Sequence, residues 1–234
     1  MKKILVLFAL AISCISAYTQ HNDIAQFAIW IPKEGQVDKF EAGYKRHLEW
    51  HKNNGDTWGW WGWFIVSGPR YGYFVDATFS RSWQDFDRAV KPAGDMADNR
   101  KNVFPHGNVH SIFKAKHITE CSTTDSFDNK LKICRMLRIT VNNLHAAQKL
   151  IGHLRDHYAS KDIPSFQTYR IIDGSELNQF VILAGFKSWE EFGRTEDLSD
   201  QLEQLQESMK TNCIISTTSE TMVYRPDLSW FPSN

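Results

Sequence analysis

Two stretches of this chain can be laid over one another without a gap, and that duplication constrains the fold more than any other feature. Residues 63–86, WFIVSGPRYGYFVDATFSRSWQDF, match residues 169–192, YRIIDGSELNQFVILAGFKSWEEF. Gly68 pairs with Gly174, Trp83 with Trp189 and Phe86 with Phe192, all at one offset (174 − 68 = 106). The same offset carries His47 and His51 onto His153 and His157. A unit this long is a small domain, not a solenoid repeat of about 20–50 residues. Two similar halves sharing one core are therefore expected.

In the first half, Ile24 to Ile31 reads as a strand closed by Pro32. Phe40, Tyr44, Leu48 and His51 recur at helical spacing between Val37 and Asn53, and Asn54-Gly55 is the stop signal. Trp58 to Val66 and Tyr73 to Phe79 form a hairpin around Ser67 to Gly72. Ser82-Trp83-Gln84-Asp85 is a capping box that starts a second helix. Residues 91–107, rich in Pro, Gly, Asp and Asn, read as a loop, and Val109 to Ile118 as the last strand. The second half repeats the course. Its strands are Ile133 to Val141, Phe166 to Ile172, Gln179 to Phe186 and Cys213 to Tyr224. Its helices are Leu144 to Tyr158, one begun by Ser188, and Leu198 to Met209. The expected divisions are a leader at 1–19, a first repeat at 20–118, a polar linker at 119–130, a second repeat at 131–226 and a tail at 227–234.

Each half thus reads β-α-β-β-α-β, the ferredoxin-like unit, which covers one face of its sheet with helices. The run Trp60 to Val66 is apolar with hardly a break, as in a strand buried on both faces. The expected fold is α+β: two tandem ferredoxin-like repeats whose antiparallel sheets pack face to face as a barrel, helices outside. The element order, the duplication and the helix starts FKSWEEF and FSRSWQDF resemble the dimeric α+β-barrel superfamily in tandem form. That superfamily includes NIPSNAP-like proteins, antibiotic-biosynthesis monooxygenase-like proteins, haem-degrading monooxygenases and chlorite-dismutase-like proteins. The resemblance spans residues 24–226 and implies the fold. Its members range from cofactor-free oxygenases to haem enzymes, so it does not fix an activity.

The N-terminus reads as a secretory signal: Lys2 and Lys3, then an apolar run from Ile4 to Ile12 too short to span a bilayer. Export to the periplasm or beyond is expected. A lipoprotein-type cleavage box at Ala11 to Cys14, with lipid on Cys14, is the rival. No transmembrane span is expected. Without residues 1–19 the balance is 25 basic against 27 acidic residues, which leaves no electrostatic footprint for nucleic acid. Cys121, Cys134 and Cys213 then remain, without metal-like spacing, and their disulfide state is open.

The first candidate site is aromatic. Trp58, Trp60, Trp61 and Trp63 crowd one strand, with Gly59 and Gly62 between them. Alternation sends Trp58 and Trp60 to one face and Trp61 and Trp63 to the other, and a one-residue slip would swap them. Together with His51, Arg70 and, from the second half, Tyr169, these indoles are the expected wall of a central cavity for a small apolar or aromatic ligand. An unusually aromatic core explains the indoles equally well. His51 is the candidate acid or base. His47 and His51 are spaced to share a helix face, but no third ligand accompanies them, so no metal is expected. No cofactor is expected either. A haem would need an axial imidazole on a helix of the second half, and His145, His153 and His157 lie on the wrong one. Arg135 shares a face with Ile133 and Leu137; facing the barrel it would need a carboxylate, for which Asp76 is a candidate, or an anionic ligand, and a satisfied ion pair or a solvent-facing position is the plainer reading. Three functions stay open: ligand binding, a cofactor-independent monooxygenase-like reaction, and an interaction module with no small-molecule site. Association with a second copy is also left open.

Overall fold

The computed structural model describes residues 21–123 and 131–232. The expected signal at 1–19, with Cys14, lies outside the described residues, as does the linker from 124 to 130. The elements run β1 (Ile24–Pro32), α1 (Val37–Asn53), β2 (Trp61–Ser67), β3 (Phe74–Arg81), α2 (Trp83–Asp87), α3 (Pro92–Asn102) and β4 (Gly107–His117). The second half follows with β5 (Ile133–Val141), α4 (Leu144–Ser160), β6 (Ser165–Asp173), β7 (Gln179–Phe186), α5 (Trp189–Gly193), α6 (Leu198–Ser208) and β8 (Ile214–Tyr224). No helix among the described residues is long and apolar enough to cross a membrane.

The eight strands close into one antiparallel barrel in the order β1-β3-β2-β8-β5-β7-β6-β4. The halves meet edge to edge at two seams, β2 with β8 and β4 with β6. Side-chain alternation then gives every strand an inner and an outer face. Inside, Phe27 stacks on Phe113 at 4.9 Å and meets Phe79 and Tyr169 edge-on at 5.6 and 5.8 Å. Trp61 and Trp63 point the same way, 5.0 and 6.4 Å from Phe79. Cys134, Met136, Val181, Leu183 and Met222 join them. The middle of the barrel is therefore an aromatic core.

Two further cores lie outside the barrel, one under the helices of each half. The second-half core has Leu150, Ile151, Leu154, Tyr158, Phe166 and Leu202 at its centre, with Arg135 the buried charge beside it. The first-half core holds Trp30, Phe40, Tyr44, Phe74 and Leu228. Leu228 arrives from the far end of the chain. Trp60 and Trp230 exchange backbone hydrogen bonds of 2.8 and 2.9 Å, and Arg225 grips Glu41 through two 2.6 Å bonds. The tail thus fastens onto the first half.

Three sequence expectations change here. Residues 91–107 are not all loop, since Pro92 to Asn102 form α3, with proline in the first turn where its missing N–H costs nothing. The strand expected from Trp58 begins at Trp61, and Trp60 forms only an isolated bridge. Arg135 and Asp76 do not pair. Arg135 sits under the second-half helices, donating to Tyr158 Oη at 2.7 Å and Thr195 Oγ1 at 2.8 Å, with Phe192 4.2 Å from its guanidinium. Asp76 is in the other half, accepting from Trp30 Nε1 at 2.7 Å. The three cysteines are free and buried. Burial pushes the Cys121 thiol up to about 11 and Cys134 higher still, which removes both as nucleophiles at neutral pH.

Candidate functional site

The sheet divides the expected aromatic wall in two. Trp61, Trp63 and Tyr169 belong to the barrel core. Trp58 and Trp60 lie on the outer side. Trp60, but not Trp58, borders a cavity of about 210 Å³ between the sheet and α1 and α3. Trp30, Tyr44, Phe104 and Ile112 supply its apolar lining, and His47, His51, Asp76, Asp95 and Asn99 its polar end. Arg70 is elsewhere. It borders a larger cavity of about 400 Å³ at one mouth of the barrel, beside His110, Arg138 and Glu220. Its charge is already answered there, because Nε and the backbone N–H both donate to Glu220. Arg138 likewise lies over the Phe113 ring. The smaller cavity has the richer chemistry.

The histidines are buried on the inner side of α1, one turn apart. His47 Nδ1 lies 2.8 Å from Asp98 Oδ2. His51 Nδ1 lies 2.8 Å from Asp56 Oδ2, with the N–H not squarely on the oxygen. The two Nε2 atoms face each other at 3.1 Å, and Asp95 Oδ1 stands 3.2 Å from the first and 3.7 Å from the second. Asp56 also accepts from the Trp58 N–H and from Trp60 Nε1, each at 3.0 Å. The strand-end tryptophans therefore fix the carboxylate that orients His51. Gly43 lets α3 approach: a Cβ there would lie 1.9 Å from the Asn102 carbonyl oxygen.

These contacts shift the acids and bases in ways that can be traced. Burial would raise Asp56, but hydrogen bonds from His51, Trp60 and Trp58 outweigh it and hold the carboxyl below its usual range. Burial also opposes charge on His47, yet Asp95 and Asp98 prevail and raise the imidazole. Asp76 is the opposite case. Burial lifts it to about 7 despite hydrogen bonds from Trp30 and Tyr44.

The second half shows that none of this polarity is required by the architecture. The Asp56 N–H donates to the His51 carbonyl as the Ile163 N–H donates to that of Tyr158 (158 − 51 = 107). Phe104 to Asn99 repeats in Thr211 to Gln206 at the same offset. The helices are thus one residue out of step with the strands, where 106 holds and both Trp63 and Tyr169 face the barrel. His153 and His157 are therefore not the spatial counterparts of His47 and His51; the first is exposed and the second half-buried. The counterparts are Leu154 and Tyr158. Asp56, Asp95 and Asp98 likewise correspond to Ile163, Leu202 and Leu205, and Asp76 on its strand to Ile182. Six ionisable groups occupy positions that the sister half fills with Leu, Ile and Tyr. Four of them, His47, His51, Asp56 and Asp76, are buried, at a cost in stability that apolar side chains would not carry, and this gathering makes the cavity the candidate site.

Sequence reasoning found His51 and Trp60 but missed Asp56, Asp95, Asp98 and Asn99, three of them on a helix read as loop. It expected no metal because no third ligand was visible. α3 brings the Asp95 carboxylate within 3.2 and 3.7 Å of the two imidazoles, a third group that the sequence did not place beside them. A haem bound by the second half does not fit, because α5 and α6 carry no histidine and α4 turns Leu154 and Tyr158, not imidazoles, toward that core.

No family model matches this chain, and no curated protein matches it. Solved structures do. A candidate monooxygenase from Lactobacillus acidophilus is 17% identical with a TM-score of 0.53, over 89% of this chain and 97% of that one. A second candidate monooxygenase, from Fusobacterium nucleatum, is 12% identical with a TM-score of 0.60, over 88% and 93%. Chlorite dismutase from Candidatus Nitrospira defluvii is 11% identical with a TM-score of 0.54, over 89% and 93%. At such identities the likeness is one of fold, and the fold is the dimeric α+β barrel, here closed within a single chain.

Proposed function

We propose that the protein binds a small apolar or aromatic molecule in the first-half cavity and acts on it as a monooxygenase-like enzyme, with His51 as the proton acceptor. The observation that carries this reading is the His51–Asp56 pair at the polar end of an aromatic-lined cavity. An ionised Asp56 on Nδ1 holds the proton there and leaves Nε2, at the polar end of the cavity beside His47, as the basic nitrogen. The cavity is smaller than the roughly 300–1,000 Å³ of common ligand sites, which suits a single-ring compound. The fold neighbours described as monooxygenases support the reaction class. Export, read from residues 1–19, would place this chemistry outside the cytoplasm.

Oxygen uptake and ligand binding, measured with a panel of hydroxylated single-ring aromatics, test the reading. His51→Ala is expected to lower turnover by about 100-fold or more, in line with the usual worth of a general base, while binding persists. Trp60→Ala is expected to weaken binding. Binding that survives in Trp60→Ala, or turnover that survives in His51→Ala, would contradict the assignment. Binding by the wild type with no turnover on any compound would leave a ligand-binding protein with no enzymatic step.

A further inference from the structure

We propose that His47 Nε2, His51 Nε2 and a carboxylate oxygen of Asp95 hold one divalent first-row transition cation at the polar end of the cavity. The inference deepens the proposed function and rests on its reading of this cavity as the site. With a cation present His51 would serve as a ligand, and hydroxide formed by ionisation of a cation-bound water would take its place as proton acceptor.

Distances give the first support. Metal–ligand bonds of about 2.0–2.2 Å set neighbouring donor atoms about 3.0 Å apart in an octahedron and about 3.4 Å apart in a tetrahedron. The three donor atoms here are separated by 3.1, 3.2 and 3.7 Å. Two imidazoles and one carboxylate on one side, with open positions opposite, form a donor set suited to Zn²⁺, Fe²⁺ and their neighbours.

The hydrogen-bond pattern gives the second. Each Nδ1 faces its own carboxylate, Asp98 or Asp56. That is the outer-shell arrangement that orients metal-bound histidines. With one proton on each Nδ1, the two Nε2 lone pairs face each other 3.1 Å apart, and they repel unless a cation or a further proton lies between them. Asn99 Nδ2 donates to His47 Nε2 at 3.0 Å and to Asp95 Oδ1 at 3.1 Å, whereas Asn99 Oδ1 is buried without a partner. Half a turn of that amide exchanges the two atoms and aims an oxygen at the same point. Three carboxylates, those of Asp56, Asp95 and Asp98, surround the two rings and compensate a dication.

The test is titration of the tag-free, metal-depleted full chain with Co²⁺, followed by its visible absorbance, and with Zn²⁺ by calorimetry, Mg²⁺ serving as comparator. One equivalent of Zn²⁺ and of Co²⁺ is expected to bind and Mg²⁺ to bind far more weakly. Asp95→Asn, at a half-exposed position where folding is safe, is expected to weaken Zn²⁺ binding by about 100-fold. Asp98→Asn, one shell out, is expected to weaken it by about 10-fold. His153→Ala should match the wild type. No saturable binding by the wild type, or equal binding by Asp95→Asn, overturns the inference. If the aromatic panel binds and the cation does not, the cavity reading stands and only the metal site falls. If neither binds, both fall.

Discussion

Replacing Asp76 by Asn is expected to stabilise the protein above pH 7 by up to about 4 kcal/mol, at 1.36 kcal/mol for each pH unit of raised pKa. The sign follows from the direction of the shift. Burial raises the folded-state pKa from 3.8 to about 7, so the folded chain holds this proton after the unfolded chain has released it. Below about pH 4 both states are protonated and Asp76 carries no electrostatic penalty. As pH rises from about 4 to 7 the unfolded state ionises first and stability falls. Above 7 the full cost of the buried charge is present. Asn keeps the shape and can still accept from Trp30 Nε1, so the variant should lose this slope and little else. Urea unfolding of both proteins at intervals from pH 4 to 8 measures it. Parallel curves for wild type and variant would show that Asp76 ionises freely in the fold. Other carboxylates held low, such as Asp56 and Asp85, contribute slopes of opposite sign. The difference between the two curves cancels them.

Trp63→Ala is expected to cost about 3–5 kcal/mol, the range for removing a fully buried large aromatic. The indole is wholly enclosed, packed near Phe79 and 6.0 Å from Tyr224 across the β2–β8 seam. Its loss opens a void where the two halves join. Trp60→Ala should cost clearly less, because Trp60 is only half-buried and borders a space that is already open. Chemical denaturation of the two variants side by side checks the ranking. The reverse order would mean that the barrel interior, not the helix side, is the loosely packed compartment.

How far the sequence could be read depended on where apolar periodicity survived. The strands and α4 were legible because Leu150, Ile151, Leu154 and Tyr158 recur on one face over a buried sheet. The duplication added the barrel, since a bare sheet face demands a cover. α3 was not legible for a specific reason: its inward positions carry Asp95, Asp98, Asn99 and Asn102, so the stripe that marks a helix is missing. The groups that build the site are the groups that hid its scaffold. The repeated histidines misled in a related way. A one-residue difference between helix and strand offsets moved His153 and His157 off the inner face, which no alignment of the two stretches could show. The tryptophan alternation was read correctly, but that the candidate site would lie on the outer side depended on a cavity opened by α3 and on the returning tail.

The most direct test of the central claim, that the ligand site is the first-half cavity and not the barrel interior, is a crystal structure of the protein soaked with a simple phenol. The expected result is a ring between Trp30 and Trp60 with its hydroxyl in hydrogen-bond reach of His51 Nε2. A ring ordered instead among Phe27, Phe79 and Tyr169, or at the barrel mouth beside Arg70, with the first-half cavity unchanged, would contradict it.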